Sequence, residues 1–400
     1  MQTDFEIVIV GGGMVGGVLA QALASDGWQV AVVEAASKEA SPSFDERVTA
    51  LSEGSWRYLS SLGLVTEIGK HAEPIREVRV SDRGYLGLTR ITAAEMGVAA
   101  LGRVVANRHL QRALMSQPVA KQITYIQPAR FVGMSEQADL LSVEIREGES
   151  TRTLTTRLLV AADGMNSAVC QAVGIKTRQI DYEQDAIIAR VMPARAHQGI
   201  AFERFTDSGP LAVLPMHEGQ CSVVWTAWRE QSESLIALDD ETFGQRLLER
   251  FGYRLGRLRV QPGRERYELK LTVAESLVAG RTVVVGNAAH GLHPVAGQGF
   301  NLCLRDVRLL ADALRPAKTS EDPAARHGDP GDAVVLKRYA ENRQADYRKI
   351  IGLTDSLVRL FSTRSALTNA LLGPLRGLGL GLLDKLPPLK AQLARTTMGL

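Results

Sequence analysis

A strand, a glycine-rich turn, a helix and a second strand open this chain, and no other feature limits its fold so strongly. Ile7 to Val10 is wholly apolar and β-branched, the pattern of a strand buried on both faces. Glycines follow at once, then a helical stretch from Met14 to Ser25 and a second apolar strand, Val30 to Val33, ending at Glu34. Two such strands joined by a helix make a β-α-β unit, so the fold begins as a parallel sheet covered by helices.

The turn itself, Gly11-Gly12-Gly13-Met14-Val15-Gly16, fits G-x-G-x-x-G, with Ala20 small enough for close packing of helix on strand. Glycines there allow a tight turn and let backbone amides approach a pyrophosphate at the positive end of the helix. Glu34 lies 18 residues beyond Gly16, where its carboxylate would accept hydrogen bonds from a ribose diol and repel a 2′-phosphate. A glycine triplet alone also serves any turn that needs positive φ. With both strands and the acidic residue in place it points to a dinucleotide, without separating a nicotinamide from a flavin.

A second glycine-rich turn separates them. Val285 to Asn301 runs from a β-branched strand, Thr282 to Val285, through Gly286, Asn287, Pro294, Gly297 and Gln298 into a helix from about Gly299, with Phe300 and Asn301 in its first turn. A nicotinamide dehydrogenase needs no such second loop. A flavin does, because its ring lies far from its adenosine, and amides at a helix N-terminus would stabilise the negative charge of the reduced ring. His290 and His293 form an H-x-x-H pair, but no third ligand is evident, so no metal is expected. Between the two turns an apolar strand from Val160 ends in Asp163-Gly164, which read alone is a simple turn.

Segments Arg76 to Arg90 and Tyr182 to Trp228 show strand-like alternation with turn signals at Asp207-Ser208-Gly209 and Glu218-Gly219-Gln220, so an antiparallel sheet is inserted into the first domain. The expected fold class is α/β: a discontinuous Rossmann-like FAD-binding domain (1–75, 101–180 and 276–332), an antiparallel-sheet substrate domain (76–100 and 181–275) and a helical C-terminal region (333–400). Residues 317 to 333 read as an exposed loop.

Composition excludes several classes. With 23% charged residues, a net charge of +3 and no basic run, nothing favours nucleic acid. Cys170, Cys221 and Cys303 are odd in number and share no C-x-x-C spacing, so no disulfide framework or zinc site is expected, and a cytoplasmic location fits. Asp4 and Glu6 precede Ile7 to Val10 with no basic n-region, so that run is not a signal peptide. No apolar run reaches the roughly 18 residues of a membrane-spanning helix.

Taken together, the motifs resemble the class A flavoprotein monooxygenases, specifically their ubiquinone-biosynthesis hydroxylase branch, over nearly the whole chain. The likeness rests on Ile9 to Met14, Val80 to Gly84, Ala201 to Thr206, Gly209 to Met216, the 285 to 306 loop and Thr354 to Val358. It implies FAD, with its adenosine on Gly11, Gly13, Gly16 and Glu34 and with Met14 and Val15 also at the cofactor. Further contacts are implied from Arg47, Asn107 or Arg108, Asp163 and Pro294 to Asn301. NADPH or NADH would be the co-substrate, O2 the oxidant and a 2-polyprenyl-6-methoxyphenol the hydroxylated ring. Other ubiquinone-biosynthesis proteins, in an assembly or at a membrane surface, are the implied partners.

The chain departs from the pattern at Asn287, where the wider class has Asp. It also has Cys170 where many relatives have Arg, and Cys303 where glycine is usual. A base assisting the phenol is not identified by spacing; His290, His293 and His217 are candidates. Phe202, Phe205, Leu214, Met216 and Trp225 offer an apolar pocket or ordinary core packing. The leucine-rich segment Leu367 to Leu389, with Arg376 and Lys385, either lies on a bilayer or lipid-carrying partner, placing the protein at the periphery of the inner membrane, or caps the core. The rival activities are hydroxylation of another aromatic or ring position, FAD-dependent reduction of a prenyl chain, and a non-catalytic flavoprotein role.

Overall fold

The computed structural model describes residues 3–37, 47–291, 297–315, 328–362 and 366–400. Strand β1 (Ile7–Val10), helix α1 (Met14–Ser25) and strand β2 (Val30–Val33) have the bounds their apolar pattern predicts. β1 and β2 pair in parallel, Ile9 opposite Val32, and all their residues are buried, which is why neither strand alternates.

After β2 come β3 (Val48–Ser52), a short strand at 73–75, and a hairpin of β4 (Glu77–Asp82) and β5 (Leu88–Thr92). β6 (Gly102–Ala106) returns to pair antiparallel with β3 and leads straight into α2 (Asn107–Ser116). β7 (Thr124–Ile126) joins β2 in parallel, and β8 (Leu158–Ala161) joins β1 on its other side.

The middle of the chain builds the second sheet from β9 (Thr177–Pro193), β10 (Ile200–Thr206), β11 (Gly209–Pro215) and β12 (Cys221–Trp228). Helix α3 (Asp240–Phe251) covers one face before β13 (Glu265–Ala274) completes it. Its order is 290–291, β13, β9, β12, β11, β10, β4, β5, with 258–260 alongside β9. The predicted turns at 207–209 and 218–220 join β10 to β11 and β11 to β12. One pairing departs from the antiparallel expectation: β10 runs parallel to β4, with Phe202 opposite Arg79. Parallel neighbours need a long crossover, and here the chain between them supplies it.

β14 (Thr282–Val284) then returns to the first sheet beside β8, giving the order 278–279, β14, β8, β1, β2, β7. Four helices finish the described chain: α4 (Gln298–Leu314), α5 (Ala333–Phe361), α6 (Ala366–Lys385) and α7 (Pro387–Met398). α4 packs on α1, α5 on α4, and α6 on the β4–β5 hairpin. Most of the predicted exposed loop at 317–333 lies outside the described residues. Among the described residues no helix is long and apolar enough to cross a membrane.

Candidate active site

The nucleotide end is built by backbone geometry. Gly11 has φ +105° and passes so close to Ala162 that a Cβ would strike its carbonyl; a Cβ on Gly16 would likewise strike the carbonyl of Gly11. Only glycine permits both approaches. Helix α1 starts with no side-chain cap and no acidic residue in its first turn, which suits its positive end to an anion. Gly11, Gly13, Met14 and Val15 lie on the cavity wall, whereas Gly16 does not. Gly16, predicted as a cofactor contact, is buried and instead lets α1 sit against the turn. Glu34 is at the cavity, its Oε2 accepting from Gly12 N at 2.6 Å and its Oε1 from Ala36 N at 2.7 Å, so the carboxylate shapes the turn as well as facing the ligand.

Asp163 reads in the sequence as a simple turn residue, yet its carboxylate holds the first amides of the short helix at 168–172, which Ser167 caps, and it has a spare atom. Its Oδ2 accepts from the amides of Ala168 at 2.8 Å and Val169 at 3.3 Å, while its Oδ1 is buried with no hydrogen-bond partner among the described residues. A buried acceptor left unmatched is costly, and a ligand hydroxyl in the cavity it borders would satisfy it. Arg47, Asn107 and Arg108 also border the cavity. The Arg47 guanidinium lies 5.1 Å from the Tyr267 ring centroid, with burial drawing its pKa below the ordinary arginine value. Asn107 accepts a hydrogen bond from Thr49 at 2.7 Å.

The second turn is held by side chains. Gly297 caps α4 in a left-handed conformation, and Gln298, Gly299, Phe300 and Asn301 border the cavity. The Asn301 amide ties this turn to β3: it donates to Ala50 O at 2.8 Å and Gly297 O at 2.6 Å and accepts from Ser52 N at 2.8 Å. Beneath the turn lies a buried ionic cluster centred on Asp306. Its Oδ2 accepts from Gly286 N at 2.8 Å and meets His290 Nε2 at 2.9 Å. Its Oδ1 takes Arg343 Nη2 at 2.6 Å and the Tyr347 hydroxyl at 2.8 Å. Burial works to raise the Asp306 pKa, but the charges of His290 and Arg343 outweigh it and hold the carboxyl below the ordinary aspartate range.

This cluster changes two assignments. His290 is fully buried and spends Nε2 on Asp306, and Gly286 spends its amide on the same carboxylate; neither borders the cavity. Both therefore tie the turn to Asp306 from outside the cavity wall. His217 is exposed and away from the cavity wall. His293 and Pro294 lie outside the described residues, and among those described no group of three metal-ligating side chains occurs. Asn287 does border the cavity, exposed, with Cys303 Sγ at 3.6 Å from its Oδ1. Cys170, the other departure, is buried in the short helix at 168–172, where its amide donates to the Ser167 cap at 3.0 Å.

One cavity of about 1580 Å³ joins both turns to the second sheet. Strand period decides which side chains reach it. Phe205 and Leu214 face it, with Ala201, Glu203, Ala212 and Val224. Trp225, a predicted pocket residue, points the other way: it packs against Phe243 of α3, with Leu211 and Val213 beside it in the core. Phe202 borders the cavity, yet its ring packs edge-on against Phe251 on the α3 side. Met216 lies past the end of β11, packed with Ile75 and Leu101, and is not on the wall. Alternation counted from Phe205 would have identified Glu203 as the carboxylate on this face. Nothing local in the sequence announces the rest of the wall: Leu380 and Leu383 of α6, Ala394, Thr397 and Met398 of α7, and Phe361, stacked on Phe205 at 3.8 Å.

These features fit FAD. The uncapped start of α1, Glu34 and the Asp163 acceptor suit a dinucleotide. The start of α4 and Asn287 border the same space farther on, and an apolar sheet face closes it.

Comparison with known proteins agrees. Residues 4–345 match a family model described as "FAD binding domain". The protein named ubiquinone hydroxylase UbiL in Rhodospirillum rubrum is 38% identical, across 98% of this chain and 89% of that protein. Escherichia coli 3-demethoxyubiquinol 3-hydroxylase is 32% identical across 99% and 98%, and the human ubiquinone biosynthesis monooxygenase COQ6 is 29% identical across 98% and 92%. Among solved structures, p-nitrophenol 4-monooxygenase PnpA from Pseudomonas putida superposes with a TM-score of 0.77 over 100% of this chain and 99% of that one; at 19% identity this likeness shows the fold.

Proposed function

The chain belongs to the FAD-binding domain family, and from that premise we propose that it is a monooxygenase that hydroxylates a polyprenylated methoxyphenol ring in ubiquinone biosynthesis. The observation that carries this reading is the single cavity running from the dinucleotide turn to an apolar sheet face. Bound FAD supplies the redox and oxygen chemistry, drawing electrons from NADH or NADPH and oxygen from O2.

The chain's own residues do the rest. Glu34, the α1 amides and Asp163 hold the dinucleotide. The positive end of α4 favours negative charge on the ring of a reduced flavin. Phe205, Leu214, Ala212 and Val224 keep water from the reacting ring, which protects oxygen chemistry from wasteful hydrolysis. Glu203 stands on that same face, placed to accept a hydrogen bond from the phenol hydroxyl and so fix which ring carbon faces the flavin.

The test is to purify the holoprotein, record its flavin spectrum, and follow NADH and NADPH oxidation and O2 uptake with and without a 2-prenyl-6-methoxyphenol analogue. Phenol-dependent oxygen uptake with a hydroxylated product is expected. Flavin without phenol-dependent uptake would remove the hydroxylase reading. Glu203→Leu is expected to lower kcat/KM for the phenol about tenfold, equivalent to about 1.4 kcal/mol, with FAD content unchanged. The name of the Escherichia coli relative supports a second reading, hydroxylation at another position of the same ring. Mass spectrometry and NMR of the product separate the two.

A further inference from the structure

One end of the second sheet carries positive charge that the fold does not neutralise. Residues 186–202 hold two arginines and residues 250–264 hold five, and neither stretch contains Asp, Glu or Lys. The fold lays these stretches side by side. Met192 of β9 lies opposite Arg259 and Pro193 opposite Leu258. Beyond the strand ends Ala194 N donates to Arg257 O at 2.9 Å and Arg195 N to Leu255 O at 3.0 Å.

Elsewhere on this sheet arginines are matched, Arg79 by Glu77 at 2.7 Å and Arg229 by Asp181 at 2.8 Å. At the two ends of the second stretch Arg250 meets Asp207 at 2.6 Å and Arg264 meets Asp240 at 3.3 Å. Between them Arg254, Arg257 and Arg259, with Arg195 alongside, are exposed and have no carboxylate within ion-pair distance among the described residues. Local structure uses only a little of this charge: Arg254 Nη1 donates to Phe251 O at 3.3 Å, at the negative end of α3. Burial, and then the charge of Arg79, draw the Arg254 pKa below the ordinary arginine value, so the protein supplies repulsion here and no anion.

Tyr253 stands among these arginines, 73% exposed, next to Gly252 at φ +87°. Exposed tyrosine and arginine without lysine is the composition of a protein interface, where the first two are enriched and the third depleted. Single-stranded nucleic acid is held on several stacked aromatics, and Tyr253 is the one exposed aromatic of the two stretches. A second copy does not suit this face, because a two-fold contact would set arginine against arginine.

We propose that Tyr253, Arg195, Arg254, Arg257 and Arg259 form a docking surface for an acidic partner protein. Carboxylates of the partner supply the anions missing from this end of the sheet, and the opposite charges speed encounter at low salt. None of the five residues borders the cavity, so the docking is independent of the reaction proposed above.

The test is fluorescence anisotropy of a labelled peptide of four Glu-Glu-Leu repeats, titrated with the FAD-loaded full chain in about 50 mM and about 300 mM NaCl. Saturable binding that weakens at the higher salt is expected. R254Q/R257Q/R259Q should lower the affinity at least tenfold and Y253A about threefold, with FAD content and melting temperature unchanged. A charge-matched variant of exposed arginines elsewhere, R152Q/R338Q/R348Q, should stay within about twofold of wild type. No binding by wild type, or equal losses in the two triple variants, would overturn the proposal. So would tighter binding of an oligouridylate of equal charge, or of phosphatidylglycerol vesicles, that the first triple variant abolishes, since nucleic acid or lipid would then be the cover. Should that triple variant unfold, R257Q and R259Q singly decide the matter: each is expected to weaken the peptide about twofold to threefold, and no loss in either would count against the docking surface.

Discussion

The turn before α1 keeps its shape through backbone packing, whereas the turn before α4 depends on side chains from other parts of the chain. In the first, Gly11 and Gly16 fit where any Cβ would strike a carbonyl. In the second, Gly286 and Gly297 are tied by Asp306, His290, Arg343 and Tyr347 below and by Asn301 above. The first support is all or none, since backbone cannot move aside for a methyl. The second is distributed, so it can be weakened in steps. A dinucleotide anchor gains from rigidity, and the turn nearest the reacting ring is the one whose geometry can be tuned by remote residues.

The largest effect is expected at the first turn. Gly16→Ala should leave the purified protein without its flavin absorption band and lower its melting temperature. Overpacking costs about 1–3 kcal/mol in ordinary cores, and the obstacle here is a carbonyl that cannot rotate away. A fully loaded protein of unchanged stability would show that contact does not hold this turn.

Next comes Asp306→Asn, which removes one of the two carboxylates on the buried Arg343 guanidinium, the other being Asp346 at 2.6 Å. Breaking a buried pair outright costs about 3–5 kcal/mol, and with Asp346 still in place the loss should fall below that range. The sign with pH follows from the lowered carboxyl pKa: the contribution is present above the ordinary aspartate value and lost as pH falls through the lowered folded value. Wild-type stability from this cluster should therefore hold from pH 7 to pH 5 and fall only below about pH 4, the range of an ordinary aspartate. In the variant that share of the acid loss should be gone. Chemical denaturation at a series of pH values checks both, and equal acid sensitivity of the two proteins would dissolve the assignment.

A smaller effect is expected at Asn301, which links the second turn to β3. Asn301→Ala removes one acceptor and two donor contacts whose partners are backbone groups, at about 1–3 kcal/mol. If the turn is supported from both sides, FAD affinity should fall about tenfold while the protein still folds, as titration of the apoprotein with FAD would show. No change would leave the Asp306 cluster as sole support.

The same contrast explains what could be read from the sequence. A support made of neighbouring residues is written as a motif, so β1, α1, β2 and the predicted dinucleotide turn were visible in residues 7 to 34. The pocket side of the second sheet followed for Phe205 and Leu214 but not for Trp225 or Met216, because aromatic or apolar character alone does not fix a face; only strand register does. The Asp306 cluster was not visible, since Arg343 and Tyr347 approach from another helix about forty residues away. His290 consequently read as a candidate base. The part played by α6 and α7 was hidden for the same reason: a leucine-rich helix has the same local pattern whether it walls a cavity, caps a core or meets a lipid.

The smallest effect should come from Cys303 of α4. Its Sγ is fully buried and 3.6 Å from Asn287 Oδ1, a weak donor on the side chain that borders the cavity. Burial raises its pKa well above the ordinary thiol value, raises Cys170 as well, and pushes Cys221 up to about 12. No native thiol should therefore react quickly with a disulfide reagent, which makes Cys303→Ala a test of packing with no redox complication. The expected cost is about 1 kcal/mol of stability and less than a threefold change in FAD affinity, because the Asp306 and Asn301 ties remain. A loss as large as that of Asn301→Ala would mean that the thiol's hold on Asn287 is a third tie on the second turn, and that its support is more widely spread than the hydrogen bonds to Asp306 and Asn301 imply.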